Sequence, residues 1–104
     1  MERPEILSGC TYQMPSNDGT VFIILNEDDR GCPYEVFLKA GKSGSDLAAH
    51  ADAIARLCTL LLQIHSNLSA RERIENIITE LSEIGGRSSI PNAVALALNR
   101  YLKK

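Results

Sequence analysis

The feature that most constrains this chain is a strand-like segment that passes through a glycine-rich turn into a long helical pattern. Residues Tyr34 to Ala40 have strand composition, the turn Gly41-Lys42-Ser43-Gly44 follows, and helical spacing of apolar residues extends from about Asp46 to Ser66. Free N–H groups and the helix dipole at such a junction favour a phosphate group. The sequence therefore predicts an anion site that includes Lys42 and Ser43. The alternative is that Asp46 only caps its helix and the glycines only form the turn.

The residues before this segment predict two more strands. Ile6 to Met14 and Thr20 to Leu25 have strand composition, and the run Pro15-Ser16-Asn17-Asp18-Gly19 between them is a strong turn signal. Apolar residues on both parities of the second strand indicate that both of its faces are covered. The acidic run from Asn26 to Gly31 then leads into the Tyr34 strand as a solvated loop, since it lacks the ligand spacing of a calcium site.

Two shorter helices are predicted after the long one. Ser69 and Glu72 form a capping box, and the helix that follows has apolar residues at helical spacing as far as Ile84, where a glycine pair stops it. Pro91 marks the start of the last helix, after the polar loop Arg87-Ser88-Ser89. This order predicts an α+β fold: a small antiparallel β-sheet of about three strands, followed by one long and two shorter helices.

The composition is that of one ordinary globular domain, residues 1–104, with 44% apolar and 23% charged residues. A net charge of −2 argues against binding of long nucleic acids, which select a basic protein surface. A small phosphorylated ligand needs only a few local cations, so this charge is compatible with one. No apolar run is long enough to span a bilayer and the first residues do not resemble a signal peptide, which predicts a cytosolic protein with no membrane partner.

The long helix has more apolar residues than one buried stripe requires. Leu57, Leu60 and Ile64 lie off the main apolar stripe, which runs through Ile54, Cys58 and Leu61. A helix that is apolar on two sides needs cover on two sides, and a small sheet with two short helices does not supply it. We therefore expect a homo-oligomer built on a dimer, with a hexamer as the larger alternative.

No set of catalytic, metal-binding or redox residues is evident in the sequence. The three cysteines are widely spaced and fit no metal or redox motif, as expected of reduced thiols. His50 and His65 are separated by roughly 22 Å of axial rise, so they cannot share one metal ion within a monomer. No serine has an evident histidine and acid as partners. These absences favour a binding module over an enzyme, and they predict no metal and no cofactor.

Several cationic and polar side chains are suited to binding phosphate. Arg56 lies in an otherwise apolar stretch of the long helix, and Arg71 and Arg73 lie in the first turn of the next helix, where cations oppose the dipole. The loop Arg87-Ser88-Ser89 precedes a further helix N-terminus with Asn92, and arginine suits bidentate phosphate contacts. The alternative is that these arginines are solvated or pair with neighbouring acids.

Several runs of the sequence resemble the TSCPD domain, and together they cover nearly the whole chain. They are Arg3-Pro4-Glu5, Gly9, Thr11-Tyr12, Ile24-Leu25-Asn26-Glu27-Asp28, Gly31, Pro33-Tyr34-Glu35-Val36-Phe37, Gly41-Lys42-Ser43-Gly44 and Ile54-Ala55-Arg56-Leu57. That domain is found at the C-terminal end of adenosylcobalamin-dependent ribonucleotide reductases and as small free-standing proteins. The five residues that name it align with Ser88-Ser89-Ile90-Pro91-Asn92, in which Ile90 replaces the family's cysteine and Asn92 its aspartate.

These two departures change the chemistry that the motif can support. The loss of a thiol at Ile90 removes a redox or metal role, and the amide of Asn92 replaces a carboxylate that would repel a phosphate. Small free-standing proteins of this kind also resemble the first described family of anti-Thoeris phage proteins. That resemblance implies an oligomer in the bacterial host cytosol that binds cyclic ADP-ribose isomers without cleaving them, and in some members binds cyclic oligonucleotides at a separate site.

The residues and the resemblance together predict non-enzymatic sequestration of a cyclic nucleotide immune signal. Arginine and hydroxyl groups would hold phosphate, and asparagine would hydrogen-bond base or ribose, while Tyr34, Phe37 and Tyr101 are each either a stacking partner for adenine or a core residue. The candidate ligand-binding residues are Arg87, Ser88, Ser89, Asn92, Arg56, Asn76, Lys42 and Ser43. The alternative is an accessory domain of a cobalamin-dependent ribonucleotide reductase. An enzyme that converts nucleotides is a third hypothesis, without an evident catalytic set.

Overall fold

A computed structural model describes residues 3–64, 66–82 and 84–104, and these residues form an α+β fold in which an antiparallel sheet precedes three helices. The observed order is the one that the sequence predicts. The elements are β1 (Ser8–Ser16), β2 (Gly19–Glu27), β3 (Pro33–Lys39), α1 (Asp46–Gln63), α2 (Ala70–Leu81) and α3 (Ile90–Leu102).

The first hairpin is tighter than the sequence predicts, because β1 and β2 extend into the run that was expected to be a turn. Ser16 pairs with Gly19, which leaves a loop of two residues, Asn17 and Asp18. The Ser16 hydroxyl accepts a hydrogen bond from the Asp18 backbone N–H (3.1 Å) and donates one to the Gly19 carbonyl (2.7 Å). Gly19 has a φ of 105°, a conformation that favours glycine. The serine side chain therefore closes the loop on itself.

The loop of the second hairpin is predicted to be solvated, but the carboxylate of Asp28 holds it in place. The Asp28 side chain accepts hydrogen bonds from the backbone N–H groups of Arg30 (2.9 Å) and Cys32 (3.0 Å). The loop is closed further by the Asp28 N–H, which donates to the Cys32 carbonyl at 2.8 Å. The acidic residue at this position thus stabilises the turn that joins β2 to β3, as short polar side chains commonly do.

The sheet has the strand order β1-β2-β3 and is covered on one face by helices. Val21, Ile23 and Leu25 of β2 point into the core, where α1 packs against β3 and α3 packs against β1 and β2. Helix α2 packs mainly against α3. On the opposite face Phe22 and Ile24 are half-buried. The prediction that both faces of this strand are covered is therefore met on one face only within a single chain.

The long helix α1 has 18 residues and ends at Gln63, earlier than the predicted end at Ser66. The reason is a side chain from the next helix. Arg73 donates from Nη1 to the backbone carbonyl of Leu62 (2.6 Å) and to that of Ile64 (3.1 Å), which satisfies groups at the end of α1. Within the described residues, no helix combines the length and the apolar character needed to cross a bilayer.

Helix α2 begins as the sequence predicts and ends earlier. The capping box is confirmed, because the Ser69 hydroxyl accepts from the Glu72 N–H and the Glu72 carboxylate accepts from the Ser69 N–H, both at 3.1 Å. The helix ends at Leu81 rather than at Ile84. At that end the Ile78 carbonyl accepts from both the backbone N–H (2.9 Å) and the hydroxyl (2.5 Å) of Ser82, so the side chain supplements the last helical hydrogen bond.

Candidate functional site

A cavity of about 380 Å³ lies between the first half of α1 and the start of α3. Its apolar side is formed by Leu47, Ala51, Ile54 and Ile90. Its polar rim consists of Asn17, Asp18, His50 and Ser89. An apolar surface with a few convergent polar groups is the usual composition of a pocket for a small organic ligand.

The loop before α3 is held against this cavity by three contacts. Ser89 caps α3, because its hydroxyl accepts from the Asn92 N–H at 3.2 Å. The Asn92 side-chain amide donates to the backbone carbonyl of Arg87 at 2.8 Å. From the other side, the Asn17 N–H donates to the Ser88 carbonyl at 2.8 Å. The loop that carries Arg87 and Ser88 is thus tied both to its own helix and to the β1–β2 turn.

Four of the predicted ligand-binding residues, Arg87, Ser88, Ser89 and Asn92, therefore lie together, but their side chains have different roles. The side chains of Arg87 and Ser88 are exposed to solvent. Ser89 also donates to the Ile84 carbonyl, so its hydroxyl is engaged on both sides, and Asn92 is buried. Helix α3 begins at Ile90, with Pro91 as its second residue, and proline supplies no N–H. At this helix N-terminus the Arg87 guanidinium is exposed, and no hydrogen bond or ion pair of its side chain is seen among the described residues.

The glycine-rich turn after β3 is held by Ser45, which is not the cap residue predicted from the sequence. The cap of α1 is Ser45 rather than Asp46, since its hydroxyl accepts from the Ala48 N–H at 3.2 Å and donates to the Lys42 carbonyl at 2.6 Å. The side chains of Lys42 and Ser43 are exposed. The turn adjoins the cavity at Leu47, because a Cβ added at Gly41 would lie 2.9 Å from the Leu47 side chain.

Arg56 lies on the other side of α1. It is displaced from the cavity residue Ile54 by roughly 200° around the helix. Its Nε donates to Asp52 at 3.0 Å, and both residues are largely exposed. With Phe37 it lines a smaller cavity of about 220 Å³ beside β3. Phe37 is the exposed member of the three candidate stacking residues; Tyr34 is buried, and the Tyr101 hydroxyl donates to Glu27 at 2.6 Å.

The negatively charged carboxylate of Glu35 lies near Arg56, but Arg3 already neutralises it. Glu35 lines the same small cavity, and its carboxylate accepts from Arg3, at 2.7 Å for the shortest contact, and from Asn26 at 3.1 Å. The hydrogen bond from Arg3 is the main reason that the pKa of Glu35 is lower than usual, with that from Asn26 acting in the same direction. Arg56 is therefore not needed as the counter-ion of this buried carboxylate.

Asn76 lies on a third surface, in a groove between α1 and α2. Within one chain the eight candidate residues are thus divided among four places. The start of α3 holds Arg87, Ser88, Ser89 and Asn92, and the turn before α1 holds Lys42 and Ser43, whereas Arg56 and Asn76 lie beside β3 and beside α2.

Three polar residues of the cavity, His50, Asn17 and Asp18, are not among the ligand-binding residues predicted from the sequence. His50 lies four residues before Ile54 and three after Leu47, so its position on the cavity side of α1 follows from helical spacing. Asn17 and Asp18 have no such local signal, because their turn meets the Ser88 loop only through the folded sheet. His65, the other histidine considered above, lies outside the described residues.

Comparison with known proteins assigns the family. The family model of the TSCPD domain matches residues 1–102. Comparison with the curated proteins and with the solved structures found no match. The family model covers nearly the whole chain, including the Ser88–Asn92 motif at the cavity. This chain therefore belongs to the TSCPD domain family.

Proposed function

We propose that this TSCPD-domain protein binds and sequesters a cyclic nucleotide immune signal without converting it, in the manner of the anti-Thoeris phage proteins that it resembles. The observation that carries the proposal is the cavity at the start of α3, which joins an apolar wall to a polar rim and lies next to the loop of Arg87. A cyclic ADP-ribose isomer presents the matching chemistry: a flat adenine ring, ribose hydroxyls and two phosphates.

Each part of such a ligand has a suitable partner near the cavity. Arg87 and the positive end of α3 are suited to the phosphates. The apolar wall at Leu47 and Ile54 is suited to a purine ring. Asp18 accepts and Asn17 both donates and accepts, which suits an adenine amino group and ribose hydroxyls. The cavity volume of about 380 Å³ falls within the range of small-ligand pockets.

The remaining candidate residues enter the proposal through an oligomer. Arg56 and Asn76 lie on two other surfaces of the chain, so they can contribute to the same ligand only from a neighbouring copy. Arg56 with Phe37 also offers a cation and an aromatic face at a second, smaller cavity, a combination suited to a cyclic oligonucleotide. The proposed particle is a homo-oligomer built on a dimer.

A thermal-shift titration tests the proposal. Purified protein is mixed with cyclic ADP-ribose isomers and with cyclic di- and trinucleotides, and the melting temperature is followed against ligand concentration. A ligand present at 100 times its Kd should raise the melting temperature by about 10 °C. Arg87→Ala should weaken binding by about 10- to 100-fold, because charge-assisted hydrogen bonds are lost. The matched control is Arg100→Ala, which removes a guanidinium from the far end of α3 and should bind normally.

The same titration separates the proposal from the reductase reading. The family membership is equally consistent with an accessory domain of a cobalamin-dependent ribonucleotide reductase. That reading predicts no shift with any cyclic nucleotide, and instead association with a catalytic subunit in a pull-down. If Arg87→Ala leaves the ligand-induced rise in melting temperature unchanged, the ligand binds at another surface. That result would contradict the assignment of this cavity.

A further inference from the structure

Helix α1 exposes a row of apolar side chains that nothing in the chain covers within the described residues. The exposed fractions are 61% for Leu57, 57% for Leu60, 48% for Leu61 and 51% for Ile64. These four residues, which we call the α1 ridge, follow one another at i, i+3, i+4 and i+7 and so form a continuous stripe. Large apolar stripes of this kind mark interaction surfaces.

A groove of about 430 Å³ runs directly beside the ridge, between α1 and α2. Its floor is apolar and includes Ile54, Cys58, Ile77 and Leu81. The polar residues along α2 are ordered: Arg73 lies at one end of the groove, Asn76 in the middle and Glu80 at the other end. Arg73 and Glu80 are seven positions apart, roughly 10 Å along the helix, which is also the length of the ridge from Leu57 to Ile64.

We propose that the α1 ridge and the α1–α2 groove form the interface with a second copy of this chain, in an antiparallel arrangement about a two-fold axis. A ridge and a groove on one face are self-complementary, as an isologous contact requires. The antiparallel arrangement places Arg73 of each copy beside Glu80 of the other.

The charges of this surface favour a second copy over other occupants. Among the described residues, this surface has one cation, Arg73, at one end and one anion, Glu80, at the other, so it is complementary to itself when reversed. It offers no net positive charge to an anionic membrane and no net charge to a strongly charged peptide. This interface does not depend on which ligand the cavity binds. However, Ile54 lines both the groove and the ligand cavity, so a second copy seated in the groove would border the cavity.

Sedimentation equilibrium of the full chain tests this interface. The wild type should be a dimer or an even-numbered oligomer, and Leu57→Asp combined with Leu61→Asp should weaken self-association at least about 100-fold, because hot-spot apolar contacts are replaced by charges. The matched control is Leu96→Asp, since Leu96 of α3 is also exposed (49%) but lies away from the ridge. Circular dichroism checks that each variant is folded, which is expected because the substituted side chains are exposed.

The charge pair gives a second, finer readout. Glu80→Lys should weaken the dimer by about 2- to 5-fold, as expected for a pair at the rim of an interface. Asp29→Lys, the same charge change in the β2–β3 loop, should leave the dimer unchanged. A monomeric wild type, or a dimer that the two ridge substitutions do not disturb, would overturn the proposal. Sedimentation of a monomeric wild type with phosphatidylserine vesicles would overturn it in favour of a membrane surface.

Discussion

The side-chain amide of Asn92 donates a hydrogen bond of 2.8 Å to the backbone carbonyl of Arg87. This contact joins the first turn of α3 to the loop that carries the exposed guanidinium of Arg87. It explains how an amide serves at the position where the family motif has an aspartate. The amide acts on the loop and positions Arg87, whereas an ionised carboxylate could not donate to a carbonyl.

We expect Asn92→Ala to lower the free energy of unfolding by about 1–3 kcal/mol, because a buried side chain loses its hydrogen bonds and the Arg87 carbonyl loses its donor. The ligand-induced thermal shift should fall with it, since the Arg87 loop is no longer tied to α3. Chemical denaturation with and without ligand measures both effects. Asn99→Ala on the same helix is the control. Equal losses for both variants would show that the Arg87 contact has no special role.

Gly9 is fixed by a close approach of β2. A Cβ at this position would collide with the Leu25 carbonyl oxygen and the Asn26 side chain, and would lie 2.8 Å from the Asn26 Cα. Gly9→Ala should therefore destabilise the fold by about 1–3 kcal/mol, as overpacking does. Ser8→Ala, at the exposed neighbouring position, should change stability by less than about 0.5 kcal/mol. Thermal melts of the two variants measure the difference, and equal melting temperatures would contradict the observed register of β1 against β2.

The three cysteines should differ in reactivity. Cys58 lies on the buried face of α1, and burial raises the pKa of its thiol from 9.0 to about 11. At a given pH near neutrality, this lowers its thiolate fraction about 100-fold, and burial also blocks access. Cys10 and Cys32 are half-buried and should be alkylated first by iodoacetamide. Peptide mass spectrometry measures the three rates. In denaturant the rates should converge, and rapid labelling of Cys58 in the folded protein would contradict its place in the core.

The contact of Arg3 with Glu35 predicts a dependence of stability on acid. The hydrogen bond from Arg3 lowers the pKa of the Glu35 carboxyl below 4.5 in the folded state. The stabilisation is therefore fully present above about pH 5, where the carboxyl is ionised in both states, and is lost as the pH falls through the lowered value. Arg3→Ala should be less stable than the wild type at pH 7, and this difference should shrink below pH 4.

Urea titrations across this pH range provide the measurement for Arg3→Ala. The control is Arg30→Ala, in the β2–β3 loop, where the hydrogen bond to the turn comes from the Arg30 backbone N–H, which the substitution keeps. Its difference from the wild type should stay constant between pH 3 and pH 7. A difference for Arg3→Ala that grows in acid would contradict the ion pair.

Features with a local cause could be predicted from the sequence. The capping box of Ser69 and Glu72 follows from two residues three positions apart, and the structure has both of its hydrogen bonds. The order of strands and helices likewise follows from periodicity. The predicted cap of α1, Asp46, lies one residue after the observed cap, Ser45. Both are suitable cap types. The Ser45 hydroxyl is favoured because it also donates to the Lys42 carbonyl, whose position depends on the turn.

Features that depend on distant partners could not be predicted. Arg73 was interpreted as a phosphate ligand or a surface ion pair, but it satisfies carbonyl groups at the end of α1, whose position depends on how the two helices pack. The contact of Asn17 with Ser88 joins residues that are far apart in sequence and sets the rim of the cavity. The division of Arg56, Asn76 and the α3 loop among three surfaces is likewise a result of packing.

The most direct test of the central claim is to recover the ligand. The wild type is incubated with a cyclic ADP-ribose isomer, separated from free ligand by gel filtration and heat-denatured, and the released nucleotide is identified by mass spectrometry. The wild type should return unchanged ligand in a fixed ratio to protein. Arg87→Ala should return much less, and Arg100→Ala as much as the wild type. Release of a cleaved nucleotide, or retention of no ligand by the wild type, would contradict the central claim.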